Sequence, residues 1–278
     1  MKKILFPTDF SETANNAFIY VLEMASTFDS EVIVLHVYNL PPISYEGYPI
    51  YVSEVYETIE LEKFENFKDQ IPYLRKIAEE HHLENVKMSH VLEQGDLVEV
   101  IKTMVKKDSI DMIVMGTNGA SGMRETFLGS NTGSVISSVP ATLLSVPLKA
   151  KFSQINTIAF TTRFEEKDRS ALRQVINFAD KIYANVKCIY IKTSETNHDE
   201  MYLDKWRSEF KSDPVQFFVI HGKNVEDSIF EFISVEKVGI LAMLTHKRSF
   251  FQSLFKSSFT KKLSYHSEIP ILVFHESE

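Results

Sequence analysis

Residues 111–138 read "DMIVMGTNGASGMRETFLGSNTGSVISS", and four of the chain's nine glycines fall between 116 and 130. Glycine gives up more backbone entropy on folding than any other residue, so a loop this rich in it must do something that side chains would obstruct. "DMIVM" before it has the apolar, β-branched character of a buried strand, and "SNTGSVISS" after it opens like a helix. The loop therefore runs from a strand end to a helix start. In open α/β sheets, ligands bind at the carboxyl ends of strands where the strand order reverses. A helix N-terminus adds unpaired N–H groups and the positive end of the macrodipole, which together receive an anion. Glycine lets the main chain approach phosphate oxygens closely, and the hydroxyls of Ser130 and Thr132 can donate to them. The stretch suits a polyphosphate.

Outward from this loop, strands and helices alternate. "KILFP" leads into "SETANNAFIYVLEMASTF", where Ala14, Ala17, Phe18, Val21, Leu22 and Ala25 share one stripe at helical spacing and Ser11 is placed to cap. "EVIVLHV" is continuous and β-branched, as strands buried on both faces are. The charge pattern predicts a long helix at about 58–82, then a strand at "VKMSHV", a helix at "DLVEVIKTMVKK" and a last strand at "ATLLSV". Such alternation gives a parallel sheet covered by helices on both faces, with right-handed crossovers.

The order then repeats. "ILFPTDF" (4–10) and "VIVLHVY" (32–38) return 154 residues later as "IAFTTRF" (158–164) and "VKCIYIK" (186–192). "VKMSHV" (86–91) pairs with "VQFFVI" (215–220) at a shift of about 129, and "VPATLLSV" (139–146) with "IPILVFHE" (269–276) at 130. Two copies of a unit near domain size follow, 1–147 and 155–278, with "PLKAKFSQ" as a polar linker. The fall in shift places an extra piece after Tyr38, within "NLPPISYEGYPIYVSEVYETIE". Its Tyr45, Tyr48, Tyr51 and Tyr56 fit either a lid or partner surface, or a packed loop with amphipathic rims; the packed loop is the favoured of the two.

Composition narrows the classes. Apolar residues are 44% and charged residues 24% of 278, the balance of a soluble globular protein. A net charge of -8 argues against a nucleic-acid duplex as partner. With Cys188 the only cysteine, no internal disulfide forms, and a reducing, cytoplasmic setting is expected. No apolar run approaches the ~20 residues that span a bilayer. Pro7 and Asp9 break the opening "MKKILFPTDF" too early for a secretory signal, so it reads as a first strand.

The loop is not a Walker A motif, because no lysine follows Gly129, and it is not a dinucleotide G-x-G-x-x-G opening the first helix. It does carry G-x2-G-x9-G-[ST] at Gly116, Gly119, Gly129 and Ser130. Joined to "ILFPTDFS" and "VPATLLSV", it resembles the ATP-binding signature of the universal stress protein family, strongly over 1–147 and more weakly over 155–275. The resemblance implies a tandem member. Each half would be an open five-strand parallel sandwich of order 3-2-1-4-5, Rossmann-like and adenine nucleotide α-hydrolase-like. It also implies an adenine nucleotide, ATP with Mg2+, as ligand. Asp9 would meet the nucleoside, with Pro7 and Thr8 lining the pocket. The backbone of Val37 would meet the adenine edge, and Met115 and Gly116 would flank the ribose. Gly119, Gly129, Ser130, Asn131 and Thr132 would hold the phosphates. In this family the final strands of two domains commonly pair, so the second copy would complete a pseudo-dimer within the chain; a further homodimer stays open. Taken singly, the glycines could equally serve tight turns, and Asp9 could merely cap a helix.

The second copy departs. "LTHKRSFFQSLFKSSFTKKL" (244–263) has no glycine, and Arg163 stands where Asp9 does. That half is expected to lack the site, leaving one nucleotide per chain. Its Lys247, Arg248, Lys256, Lys261 and Lys262 fit either an anion site or a solvated face, the solvated face favoured, and Phe250, Phe251, Phe255 and Phe259 either a protein-partner patch or packing against the sheet, with packing favoured. His81, His82 and His90 read as surface residues, Cys188 as core, and Asp96 and Asp111 as element starts. Three functions compete: a nucleotide-binding stress-response switch, a slow ATPase or nucleotidyl transferase, and a scaffold with a vestigial loop. Phosphoryl transfer needs charge stabilisation and a positioned nucleophile. Arg124 is the loop's one cation, so a dedicated catalyst is disfavoured.

Overall fold

A computed structural model of the protein describes residues 1–41, 49–117, 130–194, 200–245 and 269–275, with backbone alone at 49–52 and 200–201. The first half runs β1 (Lys3–Pro7), α1 (Glu12–Phe28), β2 (Glu31–Tyr38), α2 (Pro49–Glu80), β3 (Met88–Gln94), α3 (Leu97–Asp108), β4 (Met112–Thr117), α4 (Ser130–Ser138) and β5 (Thr142–Pro147). The second runs β6 (Thr157–Thr161), α5 (Glu166–Lys181), β7 (Asn185–Lys192), α6 (Glu200–Glu209), β8 (Val215–His221), α7 (Val225–Val235), β9 (Ile240–Thr245) and β10 (Ile271–His275). Among the described residues the strands form one ten-stranded sheet, β3-β2-β1-β4-β5-β10-β9-β6-β7-β8. Each half thus has the expected 3-2-1-4-5 order. All pairings are parallel except β5 with β10 at the centre.

That central pairing relates the halves by a near two-fold axis. Leu144 faces Leu272, flanked by Leu143–Val273 and Ser145–Ile271. Ile113 pairs with Leu143 and Leu241 with Ile271, so β5 and β10 correspond at a shift of 128. The sequence match at 130 is therefore corrected by two residues. A slip of two leaves every side chain on its own face, which is why the pattern alone did not exclude it. Local devices repeat as well. Phe10 and Phe164 both take left-handed φ, near 60°, directly after the first strand of each half, as do Asp29 and Tyr183 after the helix that follows.

Alternation divides the core. Ile4, Phe6, Val32, Val34, Met112 and Val114 pack against α1 and α2, while Leu5, Ile33, Leu35, Ile113 and Met115 pack against α3 and α4. Both clusters continue across the seam into the second half. The polar "linker" is also pinned. Asn16 Nδ2 donates to the carbonyls of Pro147 (3.0 Å) and Ala150 (2.8 Å), Phe152 meets Tyr20 edge-on at 5.0 Å, and Ala150 and Ile155 are buried. Phe28 of α1 touches Phe178 of α5 at 5.4 Å between centroids, so helices of the two halves meet directly.

The long helix begins at residue 49, not 58, so most of the extra piece in the first half is helical. Proline is well tolerated in a first helical turn, which suits Pro49. Tyr56 is half-buried, its hydroxyl donating to Pro41 O at 3.3 Å. Tyr51 lies in the helix, while Tyr45 and Tyr48 lie outside the described residues.

Candidate functional site

The sheet opens where its order reverses. β1 pairs with β2 through Pro7–Leu35, but with β4 only at Ile4–Met112 and Leu5–Ile113. Beyond Leu5 the strands part, and the residues at their carboxyl ends line the crevice that follows. Gly116 belongs to this wall. A Cβ there would lie 2.8 Å from Thr13 O and 3.0 Å from Ala14 N, so glycine lets β4 pass against the first turn of α1.

Most of the sequence-derived residues gather here. Pro7 and Thr8 are buried at the end of β1, and Thr8 N–H donates to Leu35 O at 2.8 Å. Asp9 is exposed, its Oδ1 accepting from Ser11 N–H at 3.0 Å. Ser11 caps α1, accepting from Ala14 N–H at 3.3 Å. Val37 and Met115 send their side chains into the α3/α4 cluster. Ser130 and Asn131 are exposed in the first turn of α4, whose N–H groups lack helical partners. Thr132 behaves differently: it is 2% exposed and its hydroxyl donates to Gly116 O at 3.1 Å. That hydroxyl fastens α4 to β4, so a phosphate role for Thr132 is left to its amide. Gly119, Gly122, Arg124 and Gly129 lie outside the described residues.

A cluster the sequence did not disclose underlies the crevice. Phe10 packs on His36 (5.1 Å) and on Phe67 of α2 (6.0 Å), and His36 stacks on Phe67 at 6.1 Å. His36 Nδ1 lies 2.7 Å from Thr8 O. The second half repeats the triad as Phe164, Tyr190 and Trp206 at 5.0 and 5.2 Å. The signal was present in the aligned pair Phe10 and Phe164, but aromatic residues spaced 16 to 31 apart carry no period.

In the second half, larger side chains stand at the matching positions. The β6–β9 ladder runs one pair further, to Phe160–Ala242. Leu244, buried, holds the place of Gly116, and Asp168, fully buried, the place of Ala14. Asp168 Oδ2 accepts from the Thr162 hydroxyl (2.9 Å), Arg163 N–H (2.9 Å) and Glu165 N–H (3.2 Å). The basic and aromatic segment that includes Lys247, Arg248, Lys256, Lys261 and Lys262 lies outside the described residues.

Other candidates resolve locally. Asp96 caps α3, accepting from Val98 and Glu99 N–H. Asp111 accepts from Lys2 and Lys3 N–H at 2.7 and 3.0 Å; burial alone would raise its pKa, but these amides and the N-terminal charge hold it below the usual carboxylate value. Burial, with Asp168 nearby, pushes the Cys188 thiol far up, so it is an inert core side chain. His81 and His82 are exposed as expected, but His90 is half-buried, with Nε2 enclosed and no partner. Burial and then Arg75 lower its pKa. It lines an open cavity of about 260 Å³ with Arg75, Glu79 and Glu84 at the outer edge of the sheet. Among the described residues no His, Cys, Asp or Glu cluster could hold a metal. Within the same residues no helix is long and apolar enough to cross a membrane.

Known proteins share this plan. Universal stress protein MJ0577 of Methanocaldococcus jannaschii is 33% identical over 142 residues, spanning 49% of this chain and 88% of its own. MJ0531 of the same organism is 31% identical over 145 residues, 52% of this chain and 81% of that protein. A universal stress protein from Archaeoglobus fulgidus shares the fold over 99% of this chain and 98% of its own, with a TM-score of 0.70 at 17% identity. The model of the universal stress protein family matches residues 1–147, just over half of the sequence. With its second five-strand unit closing one continuous sheet, the chain belongs to the universal stress protein family as a tandem member.

Proposed function

We propose that the first half binds ATP, or another adenine nucleotide, in the crevice between β1 and β4, and that occupancy serves as a stress-response switch in place of catalysis. The observation that carries this reading is the parting of β1 from β4 after Leu5–Ile113, with Asp9 exposed at its mouth and the first turn of α4 beside it. The spacing of Gly116, Gly119, Gly129 and Ser130 supports it from the sequence. The described residues fit the ligand in part. Exposed amides and the dipole of α4 favour an anion, and Asp9 can accept from a ribose or adenine donor. A Mg2+ would rest on the phosphates and water, since Asp9 is the one carboxylate of this set. In the second half, Asp168 and Leu244 stand in the corresponding space, which supports a single nucleotide per chain. We place the first unit at 1–147 and the nucleotide-free unit at 155–278.

Calorimetry with magnesium and ATP tests this. The native chain should bind one equivalent, and Asp9→Ala or Gly129→Val should weaken binding about tenfold or more, the scale of losing a hydrogen bond to a charged group. Unchanged affinity in both variants, or two equivalents per chain, refutes it. Steady phosphate release at enzyme-like rates, about one per second or faster, would favour an ATPase instead.

A further inference from the structure

We propose that His36 is the positioning residue of the nucleotide crevice: through Nδ1 it holds the Thr8 carbonyl from below and so fixes the turn that presents Asp9. The role rests on the reading of that crevice as an adenine nucleotide site. A carbonyl oxygen only accepts, so the 2.7 Å contact requires the proton on Nδ1. Both main-chain groups of Thr8 are then tied to β2, its N–H to Leu35 O and its C=O to His36. Its hydroxyl oxygen meanwhile accepts from Phe10 N–H at 2.9 Å. The β1–β2 ladder stops at Pro7–Leu35 and β4 has already turned away, so this side chain joins the Thr8 N–H bond in carrying β1 one residue further. It also shares the aromatic cluster that keeps Phe10 at φ 60°, a conformation a bulky residue adopts only when its surroundings hold it there.

The second half shows what the alternative looks like. Tyr190 replaces His36, and the matching turn is gripped by the Asp168 carboxylate, which enters from α5. That grip comes from a fully buried side chain on the first turn of α5. In the first half Ala14 stands at that point and the hold comes from β2, so the mouth beside Asp9 stays open to a ligand.

The test uses the full chain and three substitutions. His36→Asn keeps a donor where Nδ1 lies, His36→Gln moves the nitrogen outward, and His36→Leu removes it. Titration with Mg-ATP should show the Leu and Gln variants weakened roughly three- to tenfold, as for one lost hydrogen bond, and the Asn variant within about twofold of native. Nitrogen-15 spectroscopy of the imidazole should show the Nδ1–H tautomer in the nucleotide-free protein. An Nε2–H tautomer, native affinity in the Leu and Gln variants, or an Asn variant as weak as Gln each overturns the proposal. If the Leu variant fails to fold, the Asn and Gln pair makes the same comparison. A native chain that binds no nucleotide removes the crevice reading and this role with it. Binding that Asp9→Ala abolishes but the His36 series leaves untouched removes this role alone.

Discussion

Single residues decide how closely the first half's parts can approach. Gly116 is glycine because β4 passes within van der Waals reach of the Thr13 carbonyl, not because its φ demands it. Gly116→Ala should therefore cost about 1–3 kcal/mol, since α1 must shift to admit one methyl group. A urea midpoint equal to native would show that α1 yields freely. The sequence marked Gly116 for its spacing and missed its packing duty, because the chain that crowds it lies about 100 residues away. Asp9 and Ser11 were legible for the opposite reason: their hydrogen bonds reach two and three residues along the chain. Thr132 was half legible. Its place at a helix start could be read, but the use of its hydroxyl depends on where β4 ends.

At the scale of elements, periodic signals read well and irregular ones poorly. The α1 stripe was plain, and all six of its residues are buried. The start of α2 was missed because prolines and tyrosines imitate a loop, and the contact of its Phe67 with Phe10, 57 residues earlier, is invisible to pattern. The strands themselves carry a titratable liability. Burial lowers the pKa of His90 on β3, with Arg75 adding to it, and burial lowers that of His275 on β10. An imidazole whose folded pKa is depressed binds fewer protons than its unfolded counterpart, so its share of stability is whole above the unfolded pKa, about 6.5. That share is lost as pH falls from there through the folded values. The thermal midpoint should thus drop between pH 7.5 and 5.5, and less in a His90→Gln, His275→Gln double variant. An equal drop in native and variant would assign the effect elsewhere. Asp111, whose carboxyl is held low, adds its own loss only in more acid solution, below about pH 4.

Across the whole molecule, both core clusters run through the β5–β10 seam, and "PLKAKFSQ" is fastened to α1. Chemical denaturation should accordingly show one transition, with Leu144→Ala and Leu272→Ala each costing about 2–5 kcal/mol. Because the two side chains face each other, their costs should not add. Two separate transitions, or strict additivity, would mean the halves stand apart. The duplication and the strand order were readable, whereas the exact seam register was not, since a period of two looks the same after a slip of two. The seam has one more effect. A dimer of identical short chains must carry the same side chains at both mirrored positions, and any change made for one is made for both. Tethered in a single polypeptide, the partners escape that constraint: Gly116 answers Leu244, Ala14 answers Asp168, and His36 answers Tyr190. The architecture keeps the geometry of a symmetric pair while letting its members evolve apart.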